Sequence, residues 1–468
     1  MTDAAGERPA ADSPGRDSLH VESRVLTGWG RTAPSRSDVV IPRDPTDAAE
    51  AIVSAGRRGV IARGLGRGYG DCAQNAGGQV VDGPALTGLL DVDLATNEVR
   101  ALAGTSLDDL MRWLVPLGMF VPVTPGTRMV TVGGAIAADV HGKNHHVKGS
   151  FANHVASFRM IDGRGELRDI SPVSEPEVFW ATAGGMGLTG VIVDATIRMT
   201  PIEASLLSVD TDRTSDLDEV MAMMVEGDAR YEYSVAWVDL AAKGKHLGRS
   251  ILDRGRFVTR DEAEASGVKD LHRYVPKHLP SPPDVLPPMV NQWTIRAFNQ
   301  MWYRKSPVRR RNKLMSIEQF FHPLDMVAAW NRVYGQRGFL QYQFLVPDDE
   351  HQVVRDIVRG LAESGHASPV TVLKRFGPGN DGYLSFPFAG WTLTVDIPVV
   401  DGLDRQLDAF DDLVVAANGR VYLAKDSRVR PELMPAMYPR LSEWREIRDK
   451  LDPSGRFHSD LSRRLHLT

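Results

Sequence analysis

Two short stretches carry residues that could do chemistry. Ala424-Lys425-Asp426-Ser427 ends an apolar run near the C-terminus, and His141-Gly142-Lys143-Asn144 sits among glycines. A lysine taken out of water holds its proton less tightly, and the freed amine can accept the proton of an alcohol. His141 could orient or share that proton. An average lysine pairs with an acid at the surface and an average histidine is structural, so these two gain meaning only from the elements around them. Those elements are glycine loops. ARGLGRGYGD (62–71) has four glycines within seven residues, just after an apolar strand pattern. PGTRMVTVGGAIAADVHGKNHH (125–146) sets Gly126, Gly133, Gly134 and Gly142 around a short apolar segment able to open a helix, and GGMGLTG (184–190) makes a third cluster. Backbone N–H groups in such loops curl around anions. The first loop has no GK[ST] and no βαβ unit surrounds it, which excludes the Walker and dinucleotide fingerprints. A tight turn explains any one cluster; three in one β-rich stretch argue for backbone wrapped around an extended ligand.

The chain has 468 residues, a net charge of −5 and one cysteine, Cys72. The length predicts two domains. The charge gives no global reason to bind nucleic acid, and one cysteine excludes an internal disulfide or a multi-cysteine metal site, so no metal is expected. Residues 1–19 are polar and broken by proline and glycine, which predicts a disordered tail and no signal peptide. No apolar run reaches the roughly 18–20 residues of a membrane helix, so a soluble or peripheral protein is expected. Between Val60 and Pro201, strands are predicted over 60–64, 79–82, 98–104 and 191–200, with a hairpin over 157–170. Ser106 and Asp109 predict a capping box for a helix through Leu117. This is an α+β pattern. After Pro201 aromatic strands follow (231–240, 339–347), and six prolines in VPKHLPSPPDVLPPMV (275–290) predict a long loop. A helix over 405–419, a strand and turn over 420–427 and a helix over 441–453 return to the pattern seen before Pro201.

In this order, RGLGRGYGD, PGTRMVTVGGAIAADVHGKNHH and FWATAGGMGLTG resemble the FAD domain of the vanillyl-alcohol-oxidase/lactone-oxidase superfamily. HGKNHH (141–146), QYQF (341–344), AKDS (424–427) and DPSGRFHSDLSRRL (452–465) make the chain similar to the oxidase subunits of mycobacterial-type decaprenylphosphoryl-β-D-ribose 2′-epimerases, from about residue 24 onward. The resemblance implies a two-domain α+β flavoprotein. Residues 20–203 and a return over 420–468 would form a PCMH-type FAD-binding domain. An antiparallel-sheet substrate domain (204–419), with a proline-rich mobile loop near 255–313, would be inserted between them. It implies FAD contacts from Arg63, Gly64, Leu65, Gly66, Arg67, Gly68, Tyr69, Gly70, Asp71 and Cys72. Further contacts would come from Gly126, Thr131, Val132, Gly133, Gly134, His141, Gly142, Lys143, Asn144, Ile192 and Tyr422. Arg67 stands near the position of a flavin-linking histidine in some relatives, so a non-covalent flavin is expected. Lys425 and His141 take the catalytic positions. The implied substrate pocket is Tyr69, Lys143, Trp237, Phe321, Gln341, Gln343, Lys374, Thr394, Asp396 and Lys425. Phe321 replaces a usual tyrosine and Thr394 a usual cysteine; neither is needed for hydride transfer.

The family acts on a polyprenyl-phosphate ribose in cell-wall arabinan synthesis, and a separate NAD(P)H-dependent keto-reductase completes the epimerisation. A lipid-linked substrate brings the enzyme to a membrane surface, on a side the sequence does not specify. WYRKSPVRRRNK (302–313), with six basic residues and no acid, follows Trp293 and Phe298 and suits an anionic interface; a solvated loop explains it equally well. The alternatives are an aldonolactone oxidase acting on a small soluble sugar and a flavin-binding scaffold without turnover.

Overall fold

The computed structural model describes residues 18–277, 279–283, 290–365 and 368–468. Residues 1–17 of the expected tail, and 278 and 284–289 of the proline-rich stretch, lie outside the described residues. Local signals work as anticipated around Ser106. Its hydroxyl accepts from the Asp109 N–H while the Asp109 carboxylate reaches back, capping the helix Leu107–Leu114. Leu107, Leu110, Met111 and Leu114 then fall on one buried stripe.

Among the described residues the glycine-rich half holds two larger sheets and a two-stranded pair of Met119–Phe120 with Thr200–Pro201. The first has the order Val21–Leu26, Ser35–Val40, Gln79–Asp82, Val60–Arg63, with the last two pairings parallel. The second is antiparallel, in the order Leu89–Asp93, Glu98–Leu102, Val191–Arg198, Val155–Ile161, Leu167–Ile170. The end of the chain closes on the first sheet: Phe457 bridges to Val60, and the Val60 N–H donates to the Arg456 carbonyl.

The largest sheet has eight antiparallel strands in the order Arg309–Ser316, Leu206–Thr214, Ser250–Phe257, Tyr233–Val238, Thr371–Phe376, Gly390–Pro398, Phe339–Pro347, Arg420–Val421. Opposed residues share a face and alternate residues return to it. Gln341 opposes Asp396, Gln343 opposes Thr394, and Lys374 opposes Thr392. Trp237 opposes Val372, which opposes Thr394. One face therefore gathers Trp237, Lys374, Thr392, Thr394, Asp396, Gln341 and Gln343. The other face of QYQF sends Tyr342 to Phe410 and Asp411 on the helix Leu403–Ala416.

Two expectations change. The span 255–313 is only partly loop: among the described residues it contains the helices Arg260–Ala265 and Gln292–Lys305 and the start of the strand Arg309–Ser316. Asn291, beyond the last proline of the 275–290 stretch, accepts from the N–H groups of Trp293 and Thr294 and starts the longer helix. Arg309, Arg310 and Arg311 of the basic run lie on an edge strand, where Arg309 and Arg311 pair with Asp212 at 3.4 and 2.8 Å. The strand expected before Lys425 is only Arg420–Val421, and it pairs with the large sheet before the chain crosses to the glycine loops.

Candidate active site

The first glycine loop, which contains Arg63, Gly64, Leu65, Gly66, Arg67, Gly68, Tyr69, Gly70, Asp71 and Cys72, leaves the strand Val60–Arg63. Gly66 takes a left-handed φ of +65°, and among the described residues the N–H groups of Leu65, Gly66, Arg67 and Gly68 meet no protein acceptor. A turn with consecutive free N–H groups fits the pyrophosphate of a dinucleotide. Gly64 approaches Thr131, where a Cβ would lie 2.4 Å from the hydroxyl, so the first two glycine clusters touch. Thr131 in turn accepts from the Gly134 N–H and starts the helix Val132–Ala137. Gly133 packs on Ala103, Gly142 packs on the Thr124 carbonyl, and the Asn144 amide donates to Pro122. Gly126 faces open space and Ile192 is half-buried on its strand. The third cluster serves packing instead: Gly184 and Met186 donate to the carbonyls of Ile136 and Ala137, at the far end of that helix.

Gly70 shows why the first loop and Lys425 belong together. A Cβ there would lie 1.8 Å from the Asp426 carbonyl oxygen, and the Tyr69 N–H donates to Ala424 at 3.0 Å. Arg464 clamps both segments, with 2.8 and 3.0 Å bonds to Asp71 and a 2.9 Å ion pair to Asp426. The Lys425 ammonium therefore lies 3.9 Å over the Tyr69 ring. Burial brings its pKa down to about 7, against the upward pull of Asp396. Burial also raises Asp396 to about 7, although it accepts from the Gln341 amide at 2.5 Å. Gln341 reaches the Tyr69 hydroxyl as well, which links both neighbours of the lysine.

His141 is buried between Phe376, Phe386 and Tyr422, with ring centroids at 4.8, 5.5 and 5.2 Å. The Gln343 amide donates to its Nε2 at 2.9 Å, and Nδ1 has no partner. Burial, helped by Lys374, holds the ring well below its ordinary pKa, so His141 is a neutral donor aimed away from Gln343. That orphaned N–H fits a flavin or substrate oxygen. Tyr422 donates its hydroxyl to Ala138 and presents only its ring. Lys143 donates to the Phe320 carbonyl and lies 4.4 Å over that ring, while burial brings it down to about 8.

Two expected pocket residues are placed differently from the rest. Phe321, 2% exposed, packs with Phe120, Tyr233 and Phe257, and the Lys143 ammonium lies 5.8 Å from its ring. Trp237 is anchored by its indole N–H to Pro369 at 3.0 Å. Nothing in the sequence pattern marks Trp29, whose ring carries the Arg67 guanidinium at 3.9 Å. Nor does it mark Tyr334, which bonds Asp396, or Thr392, which accepts from Gln343. Each is an unpatterned residue that only the folded chain brings in. Among the described residues no histidine, cysteine or carboxylate group could hold a metal ion.

Comparison with known proteins agrees with this geometry. Residues 37–171 match the FAD binding domain family and residues 350–465 match the D-arabinono-1,4-lactone oxidase family. The chain is 47% identical to the decaprenylphosphoryl-β-D-ribose oxidase of Mycolicibacterium smegmatis, over 95% of this chain and 98% of that one. It is 23% identical to the L-gulono-1,4-lactone dehydrogenase of Mycobacterium tuberculosis, over 95% and 99%. The α+β architecture, the glycine loops and the FAD domain match make this a two-domain, PCMH-type, FAD-dependent oxidoreductase. The extent of the first likeness settles the narrower grouping: the chain belongs to the decaprenylphosphoryl-β-D-ribose oxidase family.

Proposed function

We propose that this chain oxidises the 2′-hydroxyl of decaprenylphosphoryl-β-D-ribose to the 2′-ketone. The likeness to the M. smegmatis oxidase over nearly all of both chains carries the reading. FAD, when bound, supplies the hydride acceptor. The residue 63–72 loop, the Thr131–Gly134 helix start and His141–Asn144 would hold it, without a covalent link. Lys425 takes the hydroxyl proton: the O–H bond breaks, an N–H bond forms, and the C–H pair leaves as hydride. An amine brought to about 7 is half free at neutral pH, which suits it to that task. The neutral His141 donates to the oxygen as the ketone forms. Gln341, Tyr69 and Asp396 hold Lys425 in line, and Gln343 fixes His141.

The ketone is then reduced by a separate NAD(P)H-dependent enzyme, which completes the epimerisation to the arabinose lipid. The chain meets its lipid-linked substrate at a membrane surface, and no helix among the described residues is long and apolar enough to cross one. Domain limits at 203 and 419 belong to the same proposal.

The test is anaerobic mixing with decaprenylphosphoryl-ribose, following flavin bleaching and identifying the product. Wild type should give a 2′-keto sugar. Lys425→Ala should keep its flavin and bleach about 10²–10⁴-fold more slowly. Faster bleaching by L-gulono-1,4-lactone than by the lipid-linked ribose would overturn the assignment.

A further inference from the structure

The back of the large sheet carries a second charged recess, with the sheet between it and the pocket at Lys425. Side chains alternate along a strand. Trp237 opposes Ile251, so Arg254, three residues further on, points to the other face, together with Asp210, which opposes it. The helix Leu217–Gly227 lies over that face, and its Met223 carbonyl accepts from Arg254 at 3.2 Å. Between the last turn of this helix and the edge strand Arg309–Ser316 opens a recess of about 330 Å³.

Four guanidinium groups line it, from Arg230, Arg254, Arg309 and Arg311. Their acids do not match them. Asp212 serves three, at 2.9 Å to Arg254, 3.4 Å to Arg309 and 2.8 Å to Arg311. Asp210 reaches Arg311 at 3.5 Å, but it already accepts from the Tyr231 hydroxyl and the Asn312 N–H. Arg230 is exposed and, among the described residues, makes no ion pair and no hydrogen bond. Gly227 brings it close to Arg254: a Cβ there would lie 2.1 Å from Arg254 Nη1 and 3.7 Å from Arg230 Nη2. Two cations thus converge on one point, which only a residue without a side chain leaves open. Arg254 is 4% exposed, and its Nε is buried without an acceptor. A buried guanidinium with an unused donor is unfavourable unless an anion joins it. The other nearby acids do not fill that place. Glu226, at the rim, is exposed and pairs with none of the four arginines. Asp228 makes no ion pair among the described residues, and burial raises its carboxyl above the ordinary range, which disfavours its charge.

We propose that this recess binds the phosphoryl group of an anionic membrane lipid, at a site distinct from the substrate's. Guanidinium forks match the paired oxygens of a phosphate. The position favours a lipid over a soluble ester. Arg309 directly follows the exposed Val308, and before it comes the helix Gln292–Lys305 with its exposed Trp293 and Trp302. Arg213, on the strand beside the edge, donates to the carbonyls of Tyr303 and Ser306 at 3.1 and 3.2 Å and ties that helix down. Cations and exposed rings therefore share one edge of the sheet. A headgroup phosphate seated in the recess fixes that edge to a bilayer, so that attraction to an anionic surface becomes a contact with defined geometry.

The FAD-loaded full chain should be given two probes at low ionic strength. One is glycerol phosphate, read by calorimetry; the other is vesicles of phosphatidylcholine with or without phosphatidylglycerol, read by flotation. Wild type should bind glycerol phosphate and prefer the vesicles that contain phosphatidylglycerol. Arg230→Glu should weaken both at least tenfold, and Glu226→Gln should strengthen both. Arg57→Glu, the same change of charge at an exposed site in the glycine-rich half, should leave glycerol phosphate binding as it is and lower flotation far less. Turnover of detergent-dispersed decaprenylphosphoryl-ribose should be equal in all four proteins, so the result does not depend on the proposed function. Equal losses of flotation in Arg230→Glu and Arg57→Glu would reduce the effect to net charge and overturn the proposal, as would glycerol phosphate binding indifferent to Arg230→Glu. Glycerol phosphate binding that needs Arg230, beside flotation that does not, would overturn the lipid and assign the recess to soluble phosphate esters.

Discussion

Lys425 and Asp396 form a buried pair in which each has been moved toward neutrality, the lysine down and the acid up, both to about 7. The pair therefore holds close to one proton near neutral pH. A base must be free to act, so flavin reduction should rise with pH through about 7 and then level off. Asp396→Asn removes the carboxylate that pulls the lysine upward. Its acid limb should move to lower pH, read by stopped-flow bleaching between pH 5 and 9. An unmoved limb would mean that Asp396 does not face the ammonium. Lys425 and His141 are legible in the sequence because they stand inside distinctive motifs. Tyr334 and Thr392 are not, because nothing local marks a tyrosine or threonine until the fold shows which face it occupies.

At the level of elements, the site depends on the contact between the first glycine loop and the 424–427 turn. Arg464 holds that contact through Asp71 and Asp426, and its guanidinium is raised by those acids in spite of burial. Arg464→Ala would leave two partly buried carboxylates unpaired, a loss of about 3 kcal/mol. The variant should melt earlier and release FAD more readily, measured by thermal unfolding and by flavin fluorescence after dilution. Arg464→Lys should recover only part of this, because an ammonium cannot make the two parallel bonds to Asp71. Equal flavin retention in all three proteins would remove Arg464 from the positioning role. Caps, hairpins and the Gln341/Gln343 alternation can all be read from the sequence, since each is a local pattern with a local cause. The region 255–313 cannot. The prolines of 275–290, which end at Pro288, obscure a helix whose start depends on Asn291, and the strand after it depends on Asp210 and Asp212 about a hundred residues away.

For the whole molecule, the net charge of −5 conceals a local surface of the opposite kind. The helix Gln292–Lys305 exposes Trp293 at 76%, Met301 at 57% and Trp302 at 43%, with Phe298 stacked on Trp302. Val308 adds a further exposed apolar side chain, and Arg296, Arg304 and Lys305 stand among them. Aromatic rings with cations beside them match the interface of an anionic bilayer, where rings enter the headgroup layer and charges stay at its surface. Reversing Arg309 or Arg311 would be a poor test, because both are engaged by Asp212 and their loss would disturb the sheet edge. Trp293→Ser with Trp302→Ser leaves the buried face, Ile295 and Asn299, intact. That double variant should sediment at least tenfold less with vesicles containing anionic phospholipid, and raised salt should weaken wild-type binding too. Turnover of the decaprenyl substrate in vesicles should fall in parallel, while turnover of a water-soluble, short-chain analogue should not change. If the short-chain analogue is affected to the same degree, the helix shapes the active site and not the approach to the membrane; if sedimentation is unchanged, the docking surface lies elsewhere.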